Sequence, residues 1–181
     1  MCSRYEHKKD EAKIKLREKI YVFGLVPRAN IRPTDLGPII LPDEDSFACR
    51  DMRWGWFVPW DKSPLINAKS ETLTQLPTFK PHLDQRCLLL ADGFYEKGVL
   101  FRQPTDTTFC IAGLWREDPG GPRYVMLTTA PNFTVAPYHQ RMPLILPPQN
   151  FDAWLGSDWQ RVLAEPDHSP LEKVQKQPEL F

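Results

Sequence analysis

Residues 86–96 read RCLLLADGFYE. The apolar run Cys87–Ala91 is short and is bounded by Asp92–Gly93, so it reads as a strand of an antiparallel sheet. Working outward, the same signature recurs in GPIIL (37–41), MRWGWFV (52–58), VLFRQ (99–103), TTFCIAGLW (107–115) and RYVMLTT (123–129). Each run is rich in β-branched or aromatic residues and bounded by Pro, Gly or Asp. Six such runs predict an α+β protein: a curved, barrel-like, mostly antiparallel sheet core with short helices around it.

Three intervals carry helical expectations. From about Lys8 to Lys19, Ala12, Leu16 and Ile20 recur at fourfold spacing and predict a short helix with one apolar stripe. Residues 70–85 predict a second, broken by Pro77 and Pro81. Residues 147–165 predict a third pair, opened by Pro147 and Pro148 and continued by a helix that Ser157 would cap. The last fifteen or so residues are expected to form a tail over the core. With 181 residues, 41% of them apolar, one domain spanning 1–181 is the expectation.

Composition narrows the class. No stretch approaches the roughly eighteen apolar residues of a membrane span. HKKDEAKIKLREK, behind the amino terminus, lacks the apolar centre of a signal peptide, so an intracellular, cytoplasmic location is expected. Cys2, Cys49, Cys87 and Cys110 form no CxxC pair and the four histidines no HxxxH, so no zinc site is proposed. Net charge is zero, which argues against coating duplex nucleic acid by bulk electrostatics. Residues 1–32 nevertheless hold nine Lys/Arg against four acids, read mainly as the solvated face of a helix.

Four segments place polar groups where strand ends would prefer apolar ones: MCSR, PLINAKSET, ADGFYEKG and APYHQRMPLIL. Singly, each has an ordinary explanation. Cys2 lies at a tolerant chain end and is expected to add little packing. Asn67 could cap a helix near Ser70, Glu96 could be a surface carboxylate, and His139 a loop histidine. Jointly, a thiol, an amide, a carboxylate and an imidazole are the parts of nucleophilic acid–base chemistry.

In order along the chain, MCSR, RWGWFVPW, NAKSET, RCLLLADGFYE, GLW, LTTAPN and HQRMPLILPP resemble the SRAP family of abasic-site processing proteins, from Met1 to about Trp154. The resemblance implies a compact domain with a curved antiparallel sheet and a positively charged groove for single-stranded DNA containing abasic sites, with a role in DNA damage repair and the SOS response. It makes Cys2 the nucleophile, Asn67 the positioning amide, Glu96 the active-site carboxylate and His139 the acid–base group. Arg4, Asn30, Trp60, Lys69 and Arg141 fall on groove positions. Three departures stand out: Ser3, Lys69 and Lys97 replace the glycine, arginine and tryptophan usual in the family.

The resemblance also implies removal of Met1, and with it a chemical reason for the second-position cysteine. A terminal Cys2 would present an α-amine and a thiol on adjacent carbons. That pair condenses with the aldehyde of a ring-opened abasic site, first to an imine and then to a five-membered thiazolidine, with no cofactor or metal. The α-amine, whose ordinary pKa is about 7.7–8.0, is partly neutral near pH 7. Proton transfers fall to His139 and Glu96. Of Trp54, Trp56 and Trp60, most are expected in the sheet core and at least one buried; alternation puts Trp54 and Trp56 on one face, whereas Trp60, beyond Pro59, is the better candidate to stack on a base. The chain is expected to act as a monomer. Two other functions fit the same residues: a cysteine peptidase or self-processing peptidase using Cys2, His139 and Asn67, and a non-enzymatic reader of single-stranded or modified DNA.

Overall fold

A computed structural model describes residues 1–174. Residues 86–91 are buried at every position, because strands flank them on both sides and other elements cover both faces. Five strands close into a barrel: Leu36–Asp43, Ser46–Trp54, Arg86–Ala91, Phe109–Asp118 and Gly121–Thr129. Four of the five junctions are antiparallel. The fifth is parallel, with Tyr124 opposite Trp54, and it closes the ring. Closure leaves these strands without free edges.

Alternation along each strand then sorts side chains into two apolar clusters. Ile40, Leu88, Leu90, Ala112 and Val125 pack with the first hairpin and the carboxy-terminal helices. Ile39, Leu89, Ile111, Tyr124 and Met126 pack with a second sheet, in the order Glu172–Val174, Val99–Arg102, Gly93–Glu96, Tyr5–His7 and Arg28–Ile31. A mostly antiparallel barrel with few short helices is the architecture the strand runs predicted.

The helical expectations fare differently. Residues 11–24 form a hairpin, Glu11–Leu16 against Lys19–Gly24, and not a helix. Ala12 and Leu16 are four apart in either reading, but Ile14 is buried between them while Glu11, Lys13 and Lys15 face solvent, a period of two. Ile20, the third member of the supposed stripe, is 71% exposed. Arg17 and Glu18 make the two-residue turn with φ of 46° and 63°, the backbone that matches hairpin twist. Lys13 and Lys15 pair with Glu11 and Glu18 at the surface, so much of the amino-terminal basic excess is solvated hairpin.

Between 70 and 85 only two 3₁₀ turns form, Ser70–Thr72 and Lys80–His82, since Pro77 and Pro81 remove the amide donors a continuous helix needs. The last pair exists but is short: Phe151–Leu155 and Trp159–Ala164, after a 3₁₀ turn at Pro148–Asn150. Asp158, not Ser157, takes the N-cap of the second helix, and its side chain makes no capping bond. Trp54 and Trp56 are both fully buried but in different clusters, because Gly55, at φ 108°, breaks the strand between them and turns the alternation over. In the tail, Leu171 is buried and Glu172–Val174 forms the edge strand beside Val99–Arg102. The remainder of that expected tail, residues 175–181, lies outside the described residues.

Candidate active site

The amino terminus is held in an interior position of the second sheet. Tyr5–His7 pairs with Gly93–Glu96 on one side and Arg28–Ile31 on the other, and the Tyr95 amide donates to the Arg4 carbonyl at 2.9 Å. Beyond the strand, the Asp92 carboxylate accepts the Lys8 amide at 2.7 Å and the Thr108 hydroxyl at 2.6 Å. Burial raises the Asp92 carboxyl. The His7 ring 3.3 Å away, the Thr108 hydroxyl and the Lys8 amide outweigh that and hold it well below the usual carboxylate range. Buried Glu6 accepts the Tyr95 hydroxyl at 2.9 Å and Arg102 at 2.8 Å. These contacts overcome the fraying usual at a terminus.

Cys2 is therefore not the loosely tolerated end residue of the sequence reading: its side chain is fully buried, beside Tyr5 in the cluster of the second sheet. Its thiol donates to the Arg4 carbonyl at 3.4 Å, and burial pushes the thiol up to about 12. In the resting arrangement Cys2 is a neutral thiol.

Three elements converge on this terminus. Asn67 begins the short strand Asn67–Lys69, which lies parallel to Gly121–Thr129 with Met126 opposite Asn67. From there its Nδ2 donates to the Cys2 carbonyl at 2.8 Å. Glu96 ends its strand at the Lys97–Gly98 turn, where φ of 50° and 79° reverses the chain. It is 4% exposed, and burial raises its carboxyl above the usual range against the pull of the terminal ammonium, His139 and Lys97. His139 follows the turn set by Asn132, whose side chain accepts the Thr134 and Val135 amides. The Arg141 amide donates to His139 Nδ1 at 3.0 Å, which leaves Nε2 facing the terminus.

The Met1 amine completes the cluster, 2.7 Å from His139 Nε2 and 3.9 Å from Glu96 Oε2. Glu96 Oε1 and Asn67 Oδ1 are buried with no hydrogen-bond partner, two acceptors ready for a bound group. Cys2, Asn67, Glu96 and His139 are thus brought together, from four separate parts of the chain. The site opens into a cleft of about 670 Å³ whose walls include Ser3, Arg4, Arg32, Pro33, Tyr95 and Lys97. Three cations, Arg4, Arg32 and Lys97, face one carboxylate, Glu96, an arrangement suited to a polyanion. No group of side chains suited to a metal ion occurs among the described residues.

The five residues expected along a groove are more dispersed. Arg4 lines the cleft, its guanidinium 3.6 Å over the Tyr95 ring. Asn30 is exposed and accepts Arg32 Nε at 3.3 Å. Lys69 is exposed, opposite Thr128. Trp60 is 70% exposed in the turn between Trp56–Val58 and Asp61–Leu65. Arg141 is 16% exposed and already engaged: it chelates Glu71 at 2.7 and 2.8 Å and reaches the Thr128 carbonyl at 2.6 Å. It braces the loop that carries His139. Arg32, Pro33 and Tyr95 were not singled out by sequence reasoning. Arg32 stood within the amino-terminal basic excess, but only folding separates it from the hairpin lysines.

Comparison with known proteins agrees with this geometry. The family model for SOS response associated peptidase (SRAP) matches residues 1–178. The abasic site processing protein YoqW of Bacillus subtilis is 33% identical over 150 residues, covering 72% of this chain and 67% of that one. The abasic site processing protein YedK of Escherichia coli is 27% identical over 148 residues, covering 74% and 66%. A crystal structure from Bordetella bronchiseptica, 26% identical, superposes with a TM-score of 0.72 over 96% of this chain and 100% of its own. A second, a phage-related protein of the same organism at 22% identity, has the same fold with a TM-score of 0.75. With the family model spanning nearly its whole length and a curated relative 33% identical over 150 residues, this chain belongs to the SRAP family.

Proposed function

We propose that the chain, freed of Met1, captures abasic sites in single-stranded DNA as a covalent thiazolidine on Cys2, shielding the lesion during repair. The observation that carries this reading is the convergence on the terminus: Asn67 holds the Cys2 carbonyl at 2.8 Å while Glu96 and His139 stand around the Met1 amine, one residue ahead of the Cys2 nitrogen. The curated relatives are named for abasic site processing, in agreement with it.

The steps use only groups of this chain. Removing Met1 makes the Cys2 nitrogen a primary amine on the carbon next to that bearing the thiol. The amine adds to the aldehyde carbon of the ring-opened sugar, and the carbinolamine leaves water, its proton supplied by the protonated His139 or Glu96. The Cys2 thiol then adds to the imine carbon, giving its proton to the base just formed. Burial raises the Glu96 carboxyl above the usual carboxylate range, which makes it a better proton donor to the leaving hydroxyl than an exposed glutamate. Arg4, Arg32 and Lys97 draw the backbone phosphates along the cleft. The Cys2 thiol is buried against a backbone carbonyl and not against His139, whose Nε2 meets the Met1 amine, so the arrangement does not favour a thiolate peptidase.

Intact mass spectrometry of the Met1-free protein, incubated with an oligonucleotide bearing one abasic site, tests the reading. The expected product is protein plus oligonucleotide less one water, stable to heat and mapped to Cys2. Absence of that species, or an adduct on another residue, refutes it.

A further inference from the structure

Outside the cleft, three arginines stand in one row on the barrel wall. In the register of the strands Arg53 lies opposite Arg123 across the parallel junction, and Arg123 lies opposite Arg116 across the antiparallel one. Residues directly opposite one another project on the same face, and like charges so placed repel. One carboxylate relieves one of them. Asp118 accepts Arg116 at 2.6 and 3.1 Å, and the Phe57 carbonyl takes the same guanidinium at 2.6 Å, so Arg116 fastens the Trp56–Val58 strand to the barrel. Asp51, two residues before Arg53, is chelated by Arg28 at 2.7 and 3.1 Å. Among the described residues no carboxylate pairs with Arg53 or Arg123, and each donates only to a backbone carbonyl: Arg53 to Thr34 at 3.1 Å, Arg123 to Gly55 at 3.2 Å. Arg123 is 7% exposed, its Nε is buried without an acceptor, and its guanidinium stands 4.1 Å over the half-exposed Phe57 ring. Burial lowers this guanidinium below its ordinary value against the pull of Asp118, and Arg53 and Arg116 add to the lowering.

We infer that Arg53 and Arg123 form a second binding site, separate from the cleft, for backbone phosphates of a nucleic acid strand that continues past it. The inference rests on the reading of the cleft as a nucleic-acid site, but not on thiazolidine formation. Unpaired like charges across a sheet weaken the fold, whereas an anion laid over them removes the repulsion. Position supports the same ligand. Arg53 is exposed and holds the carbonyl of Thr34, and the two residues before Thr34, Arg32 and Pro33, form one wall of the cleft. A strand that leaves the cleft over this wall meets Arg53 next and Arg123 behind it. The hairpin that presents the exposed Trp60 is tied to the same row, since the Phe57 amide donates to Asp118 at 3.3 Å while its carbonyl accepts Arg116. A guanidinium offers paired donors to phosphate oxygens, and apart from the Thr34 bond those of Arg53 are without partners among the described residues. Arg116, already spent on Asp118, braces the row and is no part of the site.

The test is equilibrium binding of undamaged single-stranded oligonucleotides of about 5 and about 20 nucleotides, one confined to the cleft and one able to leave it, on a Cys2→Ala background. For the longer strand Arg53→Gln should make the salt slope shallower by about 0.7, the value of one phosphate contact, which is a loss of about eightfold in affinity at 50 mM salt and about threefold at 200 mM. Binding of the shorter strand should not change. Arg53→Glu should bind the longer strand more weakly still, yet melt higher than the parent without DNA, because the introduced carboxylate meets Arg123; an arginine kept for the fold alone would give the opposite shift. Equal affinity and slope for the parent and Arg53→Gln on the longer strand, an equal loss on both lengths, or a lower Tm for Arg53→Glu would each overturn the inference. Inorganic phosphate at matched ionic strength identifies the source of the anion: a rise in Tm that Arg53→Gln abolishes, with DNA affinity unchanged, would make the ligand a free phosphate and overturn the strand assignment. The parent's adduct with abasic DNA is scored separately, and its absence would refute the capture reading while leaving these binding comparisons intact.

Discussion

Truncating Cys2 to alanine tests the structure and the chemistry in one variant. A residue next to the terminus would ordinarily be free to lose its side chain, but here the sulfur is fully buried beside Tyr5 and donates to the Arg4 carbonyl at 3.4 Å. Losing one buried group of about methylene size costs about 0.8 kcal/mol in transfer free energy. If the pocket does not collapse, a void of roughly 25 Å³ adds about 0.6 kcal/mol at the usual cost per unit cavity volume. The sum, about 1.4 kcal/mol, corresponds to about 3–6 °C in Tm for a chain of this size. Cys2→Ala should therefore melt a few degrees lower by differential scanning fluorimetry or calorimetry, remain folded by circular dichroism, and yield no heat-stable adduct with abasic DNA. Terminus-matched samples, confirmed by mass, keep Met1 out of the comparison. An unchanged Tm would mean the terminus is not packed as described. A full yield of heat-stable adduct from a protein lacking the sulfur would refute thiazolidine closure.

The other expected outcomes follow from the same contacts. Because the Glu96 carboxyl is raised in the fold, its charged form is disfavoured there, and the associated stability is lost as pH rises through the folded value; Glu96→Gln should be at least as stable as the parent at pH 7, with the advantage fading below about pH 4. The same variant should slow adduct formation about 10²–10⁴-fold in single-turnover assays, and an undiminished rate would remove Glu96 from the proton transfers. Asp92, held low, stabilises the fold above its ordinary carboxylate range, so Asp92→Asn should cost about 2–3 kcal/mol at neutral pH in urea unfolding, a deficit that narrows on acidification below about pH 4; equal stability at both extremes would dismiss the staple. On a Cys2→Ala background, Trp60→Ala should leave the unfolding free energy within about 0.5 kcal/mol of the parent yet weaken single-stranded DNA binding by about 1–3 kcal/mol, while Lys69→Ala should make the salt dependence shallower by up to about 0.7; unchanged affinity and slope would withdraw both from the DNA path.

The strand runs were legible because a strand buried on both faces, such as Cys87–Ala91, can be written in few residue types and must be punctuated by Gly, Pro or Asp. The four site residues were legible for a different reason. Their chemistry is rare at strand ends, and the motif order around them resembles one family. The first hairpin was misread because Ala12 and Leu16 satisfy both periods, and the decision rested on Ile14 and on a two-residue turn of Arg17 and Glu18 that carries no Gly or Asn to announce it. Trp54 and Trp56 were assigned one face because strand alternation was carried through Gly55, whose positive φ breaks it.

The sequence by itself determined the strand-rich class and the residue types of the site, since both are properties of covalent order. Tertiary structure alone decided the rest. Burial of Cys2 depends on Tyr5–His7 being paired on both sides, which no local signal encodes. The positions of Asn67, Glu96 and His139 around one terminus depend on the barrel and second sheet bringing together segments up to 138 residues apart. Arg32 lines the cleft while Arg141 is spent on Glu71, although both are single arginines in polar loops. Which of two like charges is free to meet a phosphate depends on whether a carboxylate from elsewhere in the chain reaches it first, and that distance exists only in the fold.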